Sequence, residues 1–314
     1  MIERIGGRAC LAAGATLVCR LLLGAGTAMA QTQTGVGVPA KGHGSATLSL
    51  QRVRLGGEFE AAGEFTHRSL LLELDYGLTD RIALTAWLPY KSNRYIGNRP
   101  HNPAQLLNPH GETLRDDGLY HSGWADWGLG LRWLWRTEPV AIAPFMSFHN
   151  RINDYPIYSI AAFGTQQWRL DLGANAGGRL PGRVRNLYWQ LGYAYSCMEK
   201  TRPSDAPARR VNHSIVNAEL GWLATPELSF SLNWRYRKTH DGLRPPQDFN
   251  FRFNTDLWYH HDQLFPLEQS VATLGMSYRL NDRHTLHASF GRSLDVDFGA
   301  DIKNAYALGF TRSF

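Results

Sequence analysis

Three groups of residues carry types and spacings suited to chemistry. His287 and Ser289 stand two apart in LHASFGRS, residues 286–293. On a β-strand such residues lie side by side, as a general base and a hydroxyl nucleophile must. His260, His261 and Asp262 are metal-ligand types, but adjacent histidines without a spaced third ligand do not make a metal site. The third group is dispersed: Glu73, Asp75, Asp126, Arg132, Arg169, Asp171, Glu219, Arg235, Arg237 and Arg279, each next to apolar residues. Those charges need a surface that separates them from such close apolar neighbours.

A β-strand separates them, because successive side chains point to opposite faces. In LLLELDYGLTDRIALTAWLPY, residues 70–90, Leu70, Leu72, Leu74 and Tyr76 share one face, and Glu73 and Asp75 take the other. After GLTD the alternation resumes with Ile82, Leu84, Ala86 and Leu88, as two strands joined by a short turn. ELSFSLNWRYRK, residues 227–238, sets Leu228, Phe230, Leu232, Trp234 and Tyr236 against Ser229, Ser231, Asn233, Arg235 and Arg237. About twelve such segments are expected, near 44–54, 65–77, 81–90, 124–136, 139–149, 165–177, 186–197, 211–223, 227–238, 268–280, 284–294 and 302–314, each close to the length of a tilted membrane strand.

Tight links such as GLTDR, RTEP, GRLPGR, LATPE and LNDRH alternate with longer ones near 55–64, 91–123, 150–164, 198–210, 239–267 and 295–301. All tight turns then fall at one end of the assembly and all long loops at the other, which is the asymmetry of outer-membrane barrels. Aromatics form two bands. Trp133, Trp135, Trp189 and Trp222 lie near tight turns, and Trp127, Tyr193, Tyr195, Trp234 and Tyr236 lie near long loops. The expected fold is all-β, a transmembrane antiparallel barrel of about twelve strands with the leucines toward lipid and the charges toward the lumen. Alternation alone also fits a soluble barrel or sandwich with its apolar face inward.

The start of the chain fits export. Arg4 and Arg8 precede an apolar run, and Ala28-Met29-Ala30 offers a cleavage site, so residues 1–30 read as a signal peptide. A short segment, 31–43, then precedes the barrel at 44–314. Removing Arg4, Arg8 and Arg20 against Glu3 lowers the formal charge from +6 to about +4. Only Cys197 of the three cysteines remains, which excludes an internal disulfide. The chain is aromatic-rich yet polar, with 10 Trp, 13 Tyr and 14 Phe at a mean hydropathy of −0.33. No apolar run approaches the ~18 residues of a spanning helix. An exported chain does not meet the genome, so nucleic acid is not an expected partner.

The inward charges have both signs, so they form no simple selectivity ring, and they can pair across the lumen. Twelve strands lie between filled eight-stranded barrels and open porins, so a narrow or loop-plugged passage is expected. In the long segment 239–267, Phe249, Phe251, Phe253, Trp258 and Tyr259 could contact an apolar or aromatic solute, form a small loop core, or dip into lipopolysaccharide.

Three resemblances extend this reading. The closing NAYALGFTRSF, with Tyr306, Leu308, Phe310 and Phe314 on one face, resembles the terminal signal read by barrel-assembly machinery; Arg312 departs from it. LHASFGRS resembles the H-x-S-N-G motif of outer-membrane phospholipase A, with Phe290 in place of Asn and both His287 and Ser289 turned inward. LDYGLTDRIALTAWLPY, GWADWGLGLRWLW, HDQLFPLEQSVATLGMSYRL and YALGFTRSF together resemble the meta-pathway phenol-degradation family of outer-membrane proteins. That family resemblance implies uptake of poorly soluble, aromatic-type solutes and brings no catalytic residues. The expected function is a cofactor-free outer-membrane channel or facilitator for small hydrophobic or aromatic solutes, in contact with outer-membrane lipid and lipopolysaccharide. The rival readings are a lipid hydrolase built on His287 and Ser289, and a structural or adhesive barrel.

Overall fold

The computed structural model describes residues 35–56, 63–97, 115–157, 159, 161–184, 186–243, 255–297 and 301–314. Its strands are β1 (Gly44–Gly56), β2 (Gly63–Gly77), β3 (Ile82–Gly97), β4 (His121–Trp124), β5 (Trp127–Trp133), β6 (Ala141–Asn150), β7 (Arg169–Arg179), β8 (Leu187–Met198), β9 (His213–Leu223), β10 (Leu228–Thr239), β11 (Glu268–Arg279), β12 (His284–Asp297) and β13 (Asp301–Ser313). Sequential neighbours pair antiparallel, and β1 pairs with β13 to close the ring. Because β4 and β5 both pair with β3, they are two halves of one stave, and the barrel has twelve. At the seam the Thr47 and Thr311 hydroxyls lie 2.7 Å apart. Gly44 and Phe314 exchange backbone hydrogen bonds of 2.9 Å each way.

Exposure settles which face is which. Leu70, Leu72 and Leu74 are 38, 38 and 42 % exposed, whereas Ser69 and Asp75 are 8 and 7 %. The apolar face is therefore on the outside, the reverse of a soluble barrel, and this is a transmembrane β-barrel. Moving an outward leucine from water into lipid is worth on the order of 1.5–3 kcal/mol, repeated around the whole wall. Trp133, Trp135 and Trp222 sit on this face toward the tight turns, and Tyr193 and Trp234 toward the long loops.

The pairing departs from the expected strands in three places. The strand expected over 124–136 is broken at Ala125 and Asp126, where the register against β3 shifts by one residue. Pro89 stands opposite the break. Its carbonyl accepts Ala125 N–H at 3.0 Å, but a proline has no N–H to return, so the ladder stops there. β3 runs on past residue 90 to Gly97, because the polar residues after Tyr90 keep the same alternation. The strand expected from 165 begins at Arg169, since Gln166 has φ 55° and its backbone N–H donates to the Tyr155 hydroxyl at 3.1 Å.

Two short helices, α1 (Asp256–Tyr259) and α2 (His261–Leu264), lie at the long-loop end. The Thr255 hydroxyl caps α1 by accepting Trp258 N–H at 3.2 Å.

Candidate functional site: the barrel lumen

At the tight-turn end, the segment before β1 enters the barrel. Gly35, Gly37, Val38 and Pro39 are buried there. Val36 N–H donates to Gln190 Oε1 at 3.1 Å, and Asn175 Nδ2 donates to the Gly35 carbonyl at 3.3 Å. Arg132 Nε donates to the Gly37 carbonyl at 2.9 Å. Its Nη2 reaches the two Asp75 oxygens at 3.3 and 3.1 Å, and the Thr85 hydroxyl also donates to Asp75 at 2.9 Å. Arg132 thus ties three elements together: β2, its own strand β5 and the inserted segment. Glu73 lies beside Asp75 on the same face. Glu219 on β9 accepts from Asn233 Nδ2 at 3.4 Å.

The middle of the lumen is a charged cluster. Asp171, with no exposed surface, meets Arg169 Nε at 3.0 Å, His149 Nε2 at 3.1 Å and the Ser147 hydroxyl at 3.3 Å. Arg169 Nη2 also stands 2.8 Å from His149 Nε2. From β10, Arg235 and Arg237 add positive charge against Arg169, and Arg237 Nη2 lies 3.4 Å from His213 Nδ1. Among the described residues, three guanidinium groups thus gather near the Asp171 carboxylate. Trp87 packs against His149 with ring centroids 4.9 Å apart. Gly128, which pairs with Trp87 on one side and His149 on the other, leaves room for that indole, since a Cβ there would come within 2.2 Å of it.

At the long-loop end, residues 155–157, 159 and 161–163 fold inward. Lys91 Nζ donates to the Phe163 carbonyl at 2.6 Å, and Asn93 Nδ2 to the Ala162 carbonyl at 2.6 Å. His67 Nδ1 fixes Asn93 at 2.7 Å. Asp116 accepts from the Ser159 hydroxyl at 2.8 Å and from Ala161 N–H at 3.0 Å. The Tyr155 hydroxyl donates to Asp126 at 2.7 Å, across the break in the wall. Burial, then the neighbouring Asp126 carboxylate, push the Tyr155 phenol upward.

The inward register therefore brings most of the expected charges together in two levels. Glu73, Asp75, Arg132 and Glu219 stand with the inserted segment, and Arg169, Asp171, Arg235 and Arg237 stand mid-lumen. Asp126 holds the inward loop instead. Arg279 joins neither group, because its Nη2 donates to the Pro226 carbonyl at 3.0 Å at the tight-turn rim. Trp258 and Tyr259 pack into a buried core with Ala125, Tyr155, Ile157 and Phe163. Phe249, Phe251 and Phe253 lie outside the described residues. His261 stacks on Trp258 at 4.4 Å, while His260 Nδ1 meets Gln263 Oε1 at 2.9 Å; the adjacent histidines serve different contacts.

His287 and Ser289 face inward, but the imidazole is held elsewhere. Its Nδ1 lies 2.9 Å from the Ser277 hydroxyl and its Nε2 3.0 Å from the Thr311 hydroxyl. A base must reach its nucleophile to activate it, and both ring nitrogens point to the flanking strands.

Sequence reasoning missed Lys91, Asn93 and His67, although period-two alternation continuing through KSNRY carried the signal for the first two. It also missed His149, His213 and the inserted GVGVP.

The sequence matches no family model and no curated protein. Solved structures do match its fold. A crystal structure of the COG4313 outer membrane channel from Pseudomonas putida F1 superposes with a TM-score of 0.65 at 14 % identity, covering 91 % of this chain and 100 % of that one. The translocator domain of the autotransporter NalP from Neisseria meningitidis superposes at 0.50 and 10 % identity, covering 88 % and 90 %. The monoaromatic hydrocarbon channel CymD is a looser likeness, at 0.42 and 9 % identity, covering 88 % and 89 %. The chain has the fold of an outer-membrane β-barrel.

Proposed function

We propose that this chain, exported by residues 1–30, is an outer-membrane channel for small hydrophobic or aromatic solutes, in keeping with its resemblance to the phenol-degradation family. One observation carries the reading: the lumen is occupied from both ends, by residues 35–39 at one and by residues 155–157, 159 and 161–163 at the other. Mid-lumen Asp171, His149 and His213 are at most 1 % exposed. A barrel built this way is no wide bore for hydrated solutes. The wall's ladder is broken at Ala125 and Asp126, and β4 pairs only with β3 among the described residues. A solute that adsorbs at the long-loop end would pass the inward loop there and leave sideways into lipid, or continue past the charged cluster. Lining charges such as Arg235 and Arg237 would disfavour bare hydrocarbon on the second route and tolerate a solute bearing a hydroxyl or carboxylate.

Proteoliposomes loaded with the refolded barrel test this. Entry of a phenol-sized aromatic alcohol should be faster than in empty vesicles, while a sugar of similar size should show little gain. Equal rates for both solutes would mean an unselective pore, and no gain for either would favour a structural barrel. Hydrolysis of phospholipid that disappears in Ser289→Ala would instead support the enzyme reading.

A further inference from the structure

The outer wall carries a feature unrelated to transport. Arg52 on β1 and Arg68 on β2 are directly opposed across the two strands, and both face outward. Like charges directly opposite one another are destabilising, more so against a low-dielectric surface. On β3, Arg94 joins them: the Arg68 and Arg94 guanidinium carbons lie 4.2 and 4.5 Å from the centroid of the Tyr120 ring.

Nearby Arg54 shows how this wall neutralises a cation, with Glu64 at 2.6 Å. Among the described residues, no carboxylate lies within ion-pair distance of Arg52, Arg68 or Arg94.

Directly beside this pair the wall is grooved. A hollow of about 400 Å³ is lined by Leu50, Leu70, Tyr90, Tyr306 and Leu308, with Arg52 and Arg68 also on its wall. Leu50 and Leu308 are 61 and 64 % exposed. The height of the arginines follows from strand geometry. Arg68 is eight residues along β2 from Tyr76 at the tight-turn end. That is roughly 26 Å along the strand, or roughly 20 Å along the barrel axis after tilt, near the edge of the apolar band. The arginines therefore lie at the polar boundary of the leaflet on the long-loop side.

We propose that this patch is a binding site for a phosphorylated glycolipid of the outer leaflet, of the lipid A class. Acyl chain would lie in the groove between Leu50, Leu70 and Leu308, and a phosphate would bridge Arg52 and Arg68. Guanidinium groups bind phosphate oxygens through paired, charge-assisted hydrogen bonds, and a bridging anion removes the repulsion between them. The site rests on the long loops facing outward, and is independent of what the lumen carries.

Native mass spectrometry of the full barrel, delipidated in mild detergent and titrated with bisphosphorylated hexa-acyl lipid A, tests it. One lipid should be retained, and Arg52→Gln with Arg68→Gln should weaken retention by about tenfold or more. Arg312→Gln, an outward arginine at the tight-turn rim, should leave retention unchanged. Dephosphorylated lipid A on the unaltered protein should bind as weakly as the intact lipid does on the double variant, and this arm decides the matter if that variant fails to fold. Equal binding of phosphorylated and dephosphorylated lipid, or an undiminished double variant, would overturn the proposal. Inorganic phosphate displacing the lipid at equal concentration would show a free-anion site and overturn the lipid assignment.

Discussion

The β1–β2 hairpin and the β4–β5 stave belong to the same wall and are built on different terms. The hairpin pairs without interruption from Gly44 opposite Tyr76 to Gly56 opposite Glu64. The stave loses its ladder after four residues, opposite Pro89, and resumes one residue out of register. Continuous pairing leaves no backbone group unsatisfied in lipid, so the hairpin is a wall in the full sense. The broken stave needs other partners, and it finds one in the wall and one in the lumen: the Pro89 carbonyl of β3 takes Ala125 N–H, and Tyr155 of the inward loop holds the Asp126 side chain. A weak point in the wall and an inward loop are thus one construction.

Asp75 and Arg132 join the two regions, since Asp75 belongs to the hairpin and Arg132 to the stave. Arg132→Ala should have the largest effect, about 3–5 kcal/mol, because it leaves a buried carboxylate without its cation. Denaturant unfolding in lipid vesicles would measure it, and Asp75→Asn with Arg132→Met should recover much of the loss. Next comes charge on the outer face. Leu72→Arg in the hairpin should cost about 2–4 kcal/mol, while Trp124→Arg, beside the break and nearer the long-loop interface, should cost about 0–1. Similar costs would erase the distinction between the two regions.

Tyr155→Phe should cost about 1–2 kcal/mol by removing two hydrogen bonds, the one donated to Asp126 and the one accepted from Gln166 N–H. It should also speed aromatic-solute influx into proteoliposomes if the loop guards the break. The smallest expected effect is Pro89→Ala. The restored N–H is worth about 1 kcal/mol, offset by about 0.4–1 from a freer unfolded chain. Hydrogen exchange is the sensitive readout here: amides near residues 125–127 should become slower, whereas those of the hairpin should not change.

The same contrast explains what was legible from sequence. Uninterrupted strands declare themselves by alternation, so Leu70, Leu72, Leu74 and the opposed Glu73 and Asp75 could be assigned to their faces from spacing alone. The break was not read: Trp124 and Trp127 stand three apart, so both can face outward only if the strand slips by a residue between them, and the cause of the slip, Pro89, lies on a neighbouring strand. The lumen charges were legible as a set, but their partners were not. Arg132 bonds a carbonyl in GVGVP, a segment with too little pattern to reveal that it folds inside. Trp258 and Tyr259 gave an aromatic signal that fits a solute surface and a loop core equally, and tertiary packing with Phe163 and Tyr155 decided it.

The occupied lumen is most directly tested by single-channel conductance in planar bilayers, comparing the whole barrel with one lacking residues 35–39. With Lys91→Ala and Asn93→Ala releasing the inward loop in both proteins, removing residues 35–39 should raise the unit conductance severalfold, because Arg132, Asn175 and Gln190 would then face water instead of peptide. Equal conductance in the two loop-released proteins would contradict a lumen filled by its own N-terminal segment.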